Sequence, residues 1–327
     1  MPLVGISDNI KLPAEFEFKA LGEGYDIVCF NTEDETKFDS NLLQKLDAML
    51  VWHAIITEKT ASQLKRCKIV VRYGVGFDVI DYKALEKYNI PFCNNPDYGT
   101  EEVADTACAM ILHIQRKIGL YNEQARQEFE NWQRPHPPLF RTSTQTVGIV
   151  GVGRIGTAVV NRLKPFGYRI LGFDPYQPAG HEKAVGYIRR YTLEELLAES
   201  DYVSIHCPLN EETQNMINEI FISQIKQGSA IINTARGGLL DNYDIIESAL
   251  KNNTLSAIAF DVLPDEPPSN HSLIQAWRNQ EEWQKGRIII NPHTAFFSNE
   301  AGYEQRFKSA ETIKLYLEKG ILRNQIK

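Results

Sequence analysis

The stretch TVGIVGVGRIGTAVVNRLKPFGYRILGFDPY (146–176) decides the fold of this chain. The apolar run TVGIV predicts a buried strand, and GVGRIG (151–156) follows it as a tight, glycine-rich turn. The next residues predict an amphipathic helix that ends near Gly167, and RILGFD predicts a second strand. A strand, a glycine turn, a helix and a strand in this order predict a βαβ unit of the dinucleotide-binding type.

Each glycine of GVGRIG has its own physical task in such a unit. Gly151 permits the tight turn, Gly153 lets the backbone approach a pyrophosphate, and Gly156 allows the helix to pack closely on the strand. The N-terminus of the helix then offers N–H groups and the positive end of its dipole to a phosphate. The alternative is that these glycines serve only a turn.

Asp174 ends the second predicted strand, 18 residues after Gly156. A carboxylate at this point can accept hydrogen bonds from both ribose hydroxyls of NAD, and it would repel the 2′-phosphate of NADP. The next residues are Pro175 and Tyr176, so no adjacent arginine neutralises that phosphate. We therefore predict NAD as the cofactor, against the alternative that Asp174 is only a solvated strand end.

Short β-rich runs alternate with helical patterns on both sides of this unit, which is typical of an α/β fold with parallel sheets. Residues 100–129 predict one long helix with Thr100 as its N-cap, and the proline-rich, polar residues 131–145 predict a loop. Residues 298–320 predict a C-terminal helix that can return to the first domain. The other predicted strands are LVGIS (3–7), YDIVCF (25–30), AMLVWH (48–53), KIVVRY (68–73), PFCN (91–94), YVSIHC (202–207), SAIINTA (229–235), SAIAFDVL (256–263) and RIIINPH (287–293).

Length and composition narrow the class of protein. A chain of 327 residues favours two domains. The net charge is −7 and no block of Lys or Arg occurs, so binding to nucleic acid or to an anionic membrane is not expected. Five cysteines without a CxxC pair or zinc-finger histidine spacing indicate a reduced, cytoplasmic protein with no metal site. Neither a signal peptide nor a membrane-spanning apolar run is predicted.

Four polar side chains lie at or near the ends of predicted strands in the second half of the chain: Arg236, Asp261, Glu266 and His293. Because ligands of an open parallel sheet lie beyond the carboxyl ends of its strands, we expect these side chains to converge on one cleft. Reduction of a 2-keto acid needs a hydride at C2 and a proton at the carbonyl oxygen, and a histidine can give that proton near neutral pH. A carboxylate on the other ring nitrogen, for which we propose Glu266, fixes the tautomer, while Arg236 polarises the carbonyl and clamps the carboxylate. Taken singly, each residue has an alternative as a turn, capping or acidic-loop residue.

Six features in order resemble those of the D-isomer-specific 2-hydroxyacid dehydrogenases: GVGRIG, Asp174, HCPLNEET (206–213), NTARGG (233–238), AFDVLPDEP (259–267) and NPHTA (291–295). The resemblance covers nearly the whole chain and implies Arg236, Glu266 and His293 as the catalytic set. It also implies cofactor contacts at Arg154, Ile155, Asp174, Cys207, Pro208, Thr213, Thr234, Ala235, Asp261 and Thr106.

That family joins a flavodoxin-like substrate domain, built from both chain ends, to an inserted Rossmann NAD-binding domain, and both domains have parallel sheets. By this resemblance, residues 1–99 and 296–327 form the substrate domain, and residues 100–295 form the Rossmann domain. The long helix that begins at residue 100 is implied to help form a two-fold homodimer.

Within the family, VWHAIIT (51–57) and VVRYGVGFDVID (70–81) resemble the C-terminal-binding proteins. This resemblance implies that Arg72 approaches the substrate carboxylate, together with the backbone N–H groups of Val75 and Gly76. Tyr98 is similar to a substrate-contacting tyrosine of the lactate-dehydrogenase-like members, and Phe296 stands where the C-terminal-binding branch has a tryptophan. Both aromatic residues suggest a roomy, partly apolar pocket.

The functional hypothesis is an NAD-dependent oxidoreductase that interconverts a 2-keto acid and a D-2-hydroxy acid, held by Arg236, Arg72 and the 74–76 loop. The alternative from another class is an NADH-responsive, corepressor-like binding protein of the C-terminal-binding type. The complete set of Arg236, Glu266 and His293 favours the enzyme. A dehydrogenase of formate or phosphite is a further alternative, but formate has no carbonyl to polarise.

Overall fold

The computed structural model describes residues 1–127, 132–133, 135 and 138–327 of the chain. These residues form two compact units. The first unit combines Met1–Gly99 with Phe297–Lys327, and the second is Thr100–Phe296. Each unit has its own mostly parallel β-sheet, so the predicted α/β fold with parallel sheets is confirmed.

The first unit contains strands β1 (Leu3–Ile6), β2 (Asp26–Cys29), β3 (Ala48–Val51), β4 (Val70–Arg72), β5 (Phe92–Cys93) and β13 (Gln325–Ile326). Its α-helices are α1 (Glu15–Leu21), α2 (Ser40–Leu43), α3 (Glu58–Ala61), α4 (Tyr82–Lys87) and α13 (Asn299–Lys319). The first five strands are parallel in the order β5-β4-β3-β1-β2, which is the order of flavodoxin-like sheets. Strand β13 adds to β5 in the antiparallel sense, which the sequence pattern did not predict.

The second unit contains strands β6 (Thr146–Val150), β7 (Arg169–Phe173), β8 (Ile188–Arg189), β9 (Tyr202–Ile205), β10 (Ser229–Asn233), β11 (Leu255–Phe260) and β12 (Ile288–Ile290). Its α-helices are α5 (Thr100–Arg116), α6 (Ile118–Gln127), α7 (Arg154–Leu163), α8 (His181–Val185), α9 (Leu193–Glu199), α10 (Glu219–Gln224), α11 (Tyr243–Lys251) and α12 (Ser272–Arg278). The strand order β8-β7-β6-β9-β10-β11 is that of a Rossmann sheet, and β12 extends it by one strand.

A buried cluster holds the first βαβ element of the second unit together. Val147 and Ile149 on β6 pack with Val159, Val160 and Leu163 on α7, and all five side chains are inaccessible to solvent. The apolar residues of α7 recur at a spacing of three to four, which places them on one face of the helix. This packing fixes the start of α7 against the end of β6.

The single helix predicted over residues 100–129 is wrong, because the chain breaks it at Lys117. Lys117 has a φ of 51°, so it cannot continue the right-handed helix, and α6 starts anew at Ile118. The N–H of Gly119 donates to Nε2 of His113, 3.2 Å away, instead of extending α5. Residues 128 and 129 lie outside the described residues.

The C-terminal helix is confirmed as α13, which lies in the first unit and packs on α1. The loop predicted over residues 131–145 includes 131, 134, 136 and 137, which lie outside the described residues. Its described part is irregular apart from one turn of 3₁₀-helix at Thr142–Thr144. Among the helices in the described part of the chain, none is both long and apolar enough to cross a bilayer.

Candidate active site

The glycine turn after β6 lies directly against the chain that follows β9. Gly151 has a φ of 86°, and a Cβ there would lie 2.7 Å from the backbone nitrogen of Cys207. A Cβ on Gly156 would lie 2.1 Å from the carbonyl oxygen of Gly151, whereas no atom lies within 4 Å of a Cβ built on Gly153. Helix α7 begins at Arg154 without a side-chain cap. The turn therefore leaves an open cradle of backbone N–H groups that fits the pyrophosphate of a dinucleotide.

Asp174 follows β7 and is bonded to the neighbouring glycine turn. One carboxylate oxygen accepts from the N–H of Val152 at 2.8 Å, and the other accepts from the N–H of Tyr176 at 3.0 Å. The side chain is therefore held in one orientation beside the cradle, where a ribose diol would meet it.

Most of the other predicted cofactor residues of this unit follow strands or open helix α7, and Thr106 lies within α5. Thr213 donates through Oγ1 to the carbonyl of Pro208 at 2.6 Å, which closes the loop after β9. Thr234, after β10, has a buried hydroxyl for which the described residues offer no hydrogen-bond partner. Arg154 and Ile155 open α7, Cys207 and Ala235 are half-buried after β9 and β10, and Thr106 on α5 donates to the carbonyl of Ala295 at 3.4 Å.

His293 and Glu266 form a hydrogen-bonded pair. Nδ1 of His293 lies 2.7 Å from one carboxylate oxygen of Glu266, and the other oxygen accepts from the N–H of Leu263 at 2.9 Å. Both side chains are about 40% exposed, so a ligand can reach them. Because Glu266 takes the Nδ1 side of the ring, Nε2 is the atom that points away from the carboxylate.

The charge state of Glu266 supports this pairing. Burial by itself raises the pKa of Glu266, but the hydrogen bonds from His293 and the N–H of Leu263, with the charges of His293 and Arg236, outweigh it and lower the pKa. Glu266 is therefore an anion at neutral pH and accepts a hydrogen bond from the N–H at Nδ1. The imidazole is then fixed in the tautomer that presents Nε2 to a ligand.

Arg236 is positioned by a loop that sequence reasoning only partly predicted. The side chain of Asn233, which is 1% exposed, accepts from the N–H of Ala235 at 3.0 Å and donates to the carbonyl of Arg236 at 2.9 Å. A Cβ on Gly237 would lie 1.8 Å from the carbonyl oxygen of Leu263. Glycine therefore lets the Arg236 loop lie against the segment that carries Glu266. Asn233 was missed, although NTARGG (233–238) contains it.

Asp261 has backbone partners in this structure. It is 2% exposed, and its carboxylate accepts from the N–H groups of Thr294 and Ala295 at 3.0–3.1 Å. Its own carbonyl accepts from the N–H of His293 at 2.8 Å. Burial raises the pKa of Asp261 despite these bonds. Asp261 therefore shapes the loop that carries His293, a role that the motif alone did not indicate.

A second histidine, His206, follows β9 in the same unit. Burial of its ring lowers the pKa of His206 to about 3, and Nε2 lies 2.8 Å from the hydroxyl of Ser204. This ring is neutral near pH 7, so it is not a proton donor of the kind that keto-acid reduction needs. Phe296, also in the second unit, packs edge-on against His293, with ring centroids 6.2 Å apart.

The first unit carries the predicted carboxylate loop at the end of β4. Arg72 donates through Nε to the carbonyl of Gly76 at 3.1 Å, and its guanidinium carbon lies 3.6 Å from a Cβ built on Gly74. The side chain of Asn94 donates to the carbonyl of Val75 at 2.7 Å, so this buried asparagine also shapes the loop. Val75 is 37% exposed, and Tyr98 in the same unit is half-buried.

We expect Gly237→Ala to destabilise the second unit by about 1–3 kcal/mol, because the added methyl group meets backbone atoms of residues 263 and 264 that cannot yield cheaply. The displacement of Arg236 from Glu266 should also lower kcat/KM for the proposed reaction by about 100-fold. Thermal unfolding and steady-state kinetics measure the two effects. Gly238→Ala is the matched control, because its methyl group meets only the end of the Leu209 side chain. Equal effects of the two substitutions would show that the close approach of Gly237 to Leu263 does not position the loop.

Comparisons with known proteins agree with this geometry. A family model described as "D-isomer specific 2-hydroxyacid dehydrogenase, NAD binding domain" matches residues 108–295. C-terminal-binding protein 1 of Caenorhabditis elegans is 31% identical over 321 residues, which are 96% of this chain and 43% of that protein. D-3-phosphoglycerate dehydrogenase of Bacillus subtilis (strain 168) is 33% identical over 260 residues, which are 79% of this chain and 47% of that protein. The chain thus spans less than half the length of both relatives.

Among solved structures, D-lactate dehydrogenase from Aquifex aeolicus, complexed with NAD and lactic acid, has a TM-score of 0.80 and 27% sequence identity. The similarity covers 96% of this chain and 95% of that one. The family model matches more than half of this chain and includes the glycine turn, Asp174 and His293. The chain therefore belongs to the D-isomer specific 2-hydroxyacid dehydrogenase family, with NAD as its cofactor.

Proposed function

We propose that this chain is an NAD-dependent oxidoreductase that interconverts a 2-keto acid and a D-2-hydroxy acid. The observation that carries the proposal is the 2.7 Å contact between His293 and Glu266, beside the loop of Arg236. The proposal takes residues 100–295 as the NAD-binding domain, which also carries Arg236, Glu266 and His293, and residues 1–99 with 296–327 as the substrate domain. The D-lactate dehydrogenase neighbour, which was solved with NAD and lactic acid, supports a small 2-hydroxy acid as substrate.

In the proposed reduction, His293 acts as the general acid. When NADH is bound, it supplies the hydride that C2 of the keto acid accepts. The proton on Nε2 of His293 passes to the carbonyl oxygen, which yields the hydroxyl group. The neutral ring keeps its proton on Nδ1, where it stays hydrogen-bonded to Glu266. In the oxidation direction, the same nitrogen accepts the hydroxyl proton.

Two arginines are proposed to hold the substrate. Arg236 is assigned to the carbonyl and the carboxylate, because a planar guanidinium can donate two parallel hydrogen bonds. Arg72, with the N–H groups of Val75 and Gly76, is assigned to the carboxylate. Tyr98 and Phe296 are assigned to the wall around the substrate side chain.

The cofactor is proposed to bind at the carboxyl edge of the second sheet. The turn of Gly151, Gly153 and Gly156, with the start of α7, would hold the pyrophosphate, and Asp174 would accept from the ribose hydroxyls. The remaining assigned contacts are Thr106, Arg154, Ile155, Cys207, Pro208, Thr213, Thr234, Ala235 and Asp261.

A panel of 2-keto acids with NADH and with NADPH tests the proposal most directly. Oxidation of NADH with at least one keto acid, with NADPH much less effective, is the expected result. Absence of turnover across alkyl, hydroxyl-bearing and acidic keto acids, in a protein that still binds NADH, would contradict the enzymatic role.

That last outcome would favour the second candidate function, an NADH-responsive binding protein. The observation in its favour is the 31% identity to C-terminal-binding protein 1 over 96% of this chain.

We also propose a cytoplasmic homodimer. Light scattering coupled to size-exclusion chromatography measures the oligomeric state, and a monomeric mass would contradict that assignment.

We expect Glu266→Gln to shift the alkaline limb of the pH–rate profile for keto-acid reduction down by about one pH unit. The cause is the loss of the Glu266 carboxylate, which is charged across the neutral range and lies 2.7 Å from Nδ1 of His293, where it stabilises the protonated ring. A neutral amide at position 266 removes this stabilisation of the ring. The acidic limb of hydroxy-acid oxidation should move down as well, because that direction needs the unprotonated ring.

Asp265→Asn is the matched control for Glu266→Gln. It removes a neighbouring carboxylate whose oxygen accepts from the Tyr243 hydroxyl at 2.7 Å and not from His293. Its pH–rate profile should stay close to that of the wild type. An unshifted profile in Glu266→Gln, or an equal shift in the control, would contradict the role of Glu266.

A further inference from the structure

A hydrogen bond joins the two loops on either side of the glycine turn. In the sheet of the second unit, β6 lies between β9 and β7, so the segments after those strands flank the turn after β6. The hydroxyl of Tyr176, after β7, donates to the carboxylate of Glu212, after β9. The contact therefore spans the edge at which the proposed dinucleotide site opens.

Both ends of this contact are fixed by their own backbone. The N–H of Tyr176 donates to Asp174 at 3.0 Å, so the tyrosine is tied to the carboxylate assigned to the ribose. The N–H groups of Glu212 and Thr213 both donate to Oδ1 of Asn210 at 3.0 Å, which holds the loop after β9 in a compact turn. The partners thus meet as two pre-shaped loops, although Tyr176 is 72% exposed.

The contact places a second negative charge near Asp174. The hydrogen bond to Glu212 raises the pKa of Tyr176, and the charges of Glu212 and Asp174 add to the effect, so both carboxylates lie within electrostatic range of the phenol. The phenol stays protonated and keeps donating to Glu212.

The two arginines that follow the loop after β7 are hydrogen-bonded to other groups. Arg189 donates to Glu182 at 3.1 Å and, through its two other nitrogens, to the carbonyls of Gln177 and Pro178 at 3.1 and 2.7 Å. Arg190 binds both carboxylate oxygens of Glu199 at 2.7 and 2.9 Å. Neither side chain can turn to a 2′-phosphate without giving up these bonds.

We propose that Tyr176 and Glu212 form an acidic clasp that discriminates against NADP, as a second determinant beside Asp174. Tyr176 holds the Glu212 carboxylate at the rim of the adenosine end of the site. A 2′-phosphate there would face two carboxylates, whereas the uncharged 2′-hydroxyl of NAD would face no such repulsion. The proposal rests on the NAD-binding part of the proposed function, not on the catalytic residues.

Fluorescence titration of NADH and NADPH against Glu212→Gln tests the clasp without reference to turnover. We expect the Kd for NADPH to fall about threefold to tenfold while the Kd for NADH changes less than about twofold. Tyr176→Phe, which leaves the net charge unchanged but releases Glu212, should shift the ratio of the two constants in the same direction by less. Because the effect is a charge repulsion, the gain for NADPH should shrink as salt is raised from about 0.05 M to about 0.5 M.

Glu211→Gln is the matched control, because it removes an exposed carboxylate from the adjacent position of the same loop. It should leave the ratio of the two dissociation constants unchanged. An equal change of this ratio in Glu211→Gln and Glu212→Gln, or an unchanged ratio in Glu212→Gln, would overturn the clasp. Neither result would argue against NADH binding itself. Failure of the wild-type chain to bind NADH would instead overturn the proposed function.

Discussion

Replacement of His293 by alanine is expected to lower kcat for keto-acid reduction by about 10²–10⁴-fold, because it removes the proposed general acid. The ring is held by Glu266 through Nδ1, and the backbone N–H of His293 donates to the carbonyl of Asp261. The first contact fixes the tautomer, and the second fixes the backbone from which the ring projects. The substitution leaves the glycine turn and Asp174 untouched, so the Kd for NADH should change less than about twofold.

The measurement is single-turnover reduction of a keto acid, with NADH binding followed separately by fluorescence. His181→Ala is the control, since His181 belongs to the same unit but bonds to the hydroxyl of Tyr187 at 3.2 Å. His293→Gln should stay as slow as His293→Ala, because an amide does not deliver a proton near neutral pH. Turnover near the wild-type rate in His293→Ala would show that another group protonates the substrate.

The sequence predicted the architecture of the second unit well because its signals are local. The run of residues 146–176 contains a buried strand, a glycine turn and an amphipathic helix, and each of these has a sequence pattern that is recognisable within a few residues. Polar residues at the ends of the strands also indicated where the site lies. In a parallel sheet every strand has its carboxyl end at one edge, so a polar residue after a strand is already placed near the site.

The features that escaped prediction depend on contacts between distant segments or on single dihedral angles. Nothing in the pattern of residues 100–129 marks Lys117 as the point where φ turns positive, because the apolar spacing continues beyond it. The close approach of Gly237 to Leu263 joins segments 26 residues apart, and the glycine pair alone predicts only a turn. The antiparallel pairing of β13 with β5 depends in the same way on where α13 ends.

Buried polar residues within the motifs were the other gap. Asn233 and Asp261 sit inside motifs that were recognised, but their partners are backbone groups of their own or neighbouring loops. A polar side chain that is fully buried must satisfy its hydrogen bonds inside the protein, and the sequence does not say with which groups. The role of such a residue therefore becomes visible only in the folded structure, which shows its hydrogen-bond partners.

The second large effect is expected from Arg236→Gln, which should lower kcat/KM for the keto acid by about 10²–10³-fold, in the range found when one transition-state donor is removed. The guanidinium is the proposed donor to the carbonyl oxygen on which negative charge develops, and its loop is held in place by Asn233 and Gly237. Arg236→Lys should recover only part of the loss, because an ammonium group keeps the charge but not the planar pair of donors. Glu266 also loses a cation that helps to keep its pKa low, so some of the effect should appear as a changed pH–rate profile. Steady-state kinetics across pH, with NADH affinity as the reference, separate these contributions; a loss confined to NADH binding would place Arg236 in the cofactor site and not with the substrate.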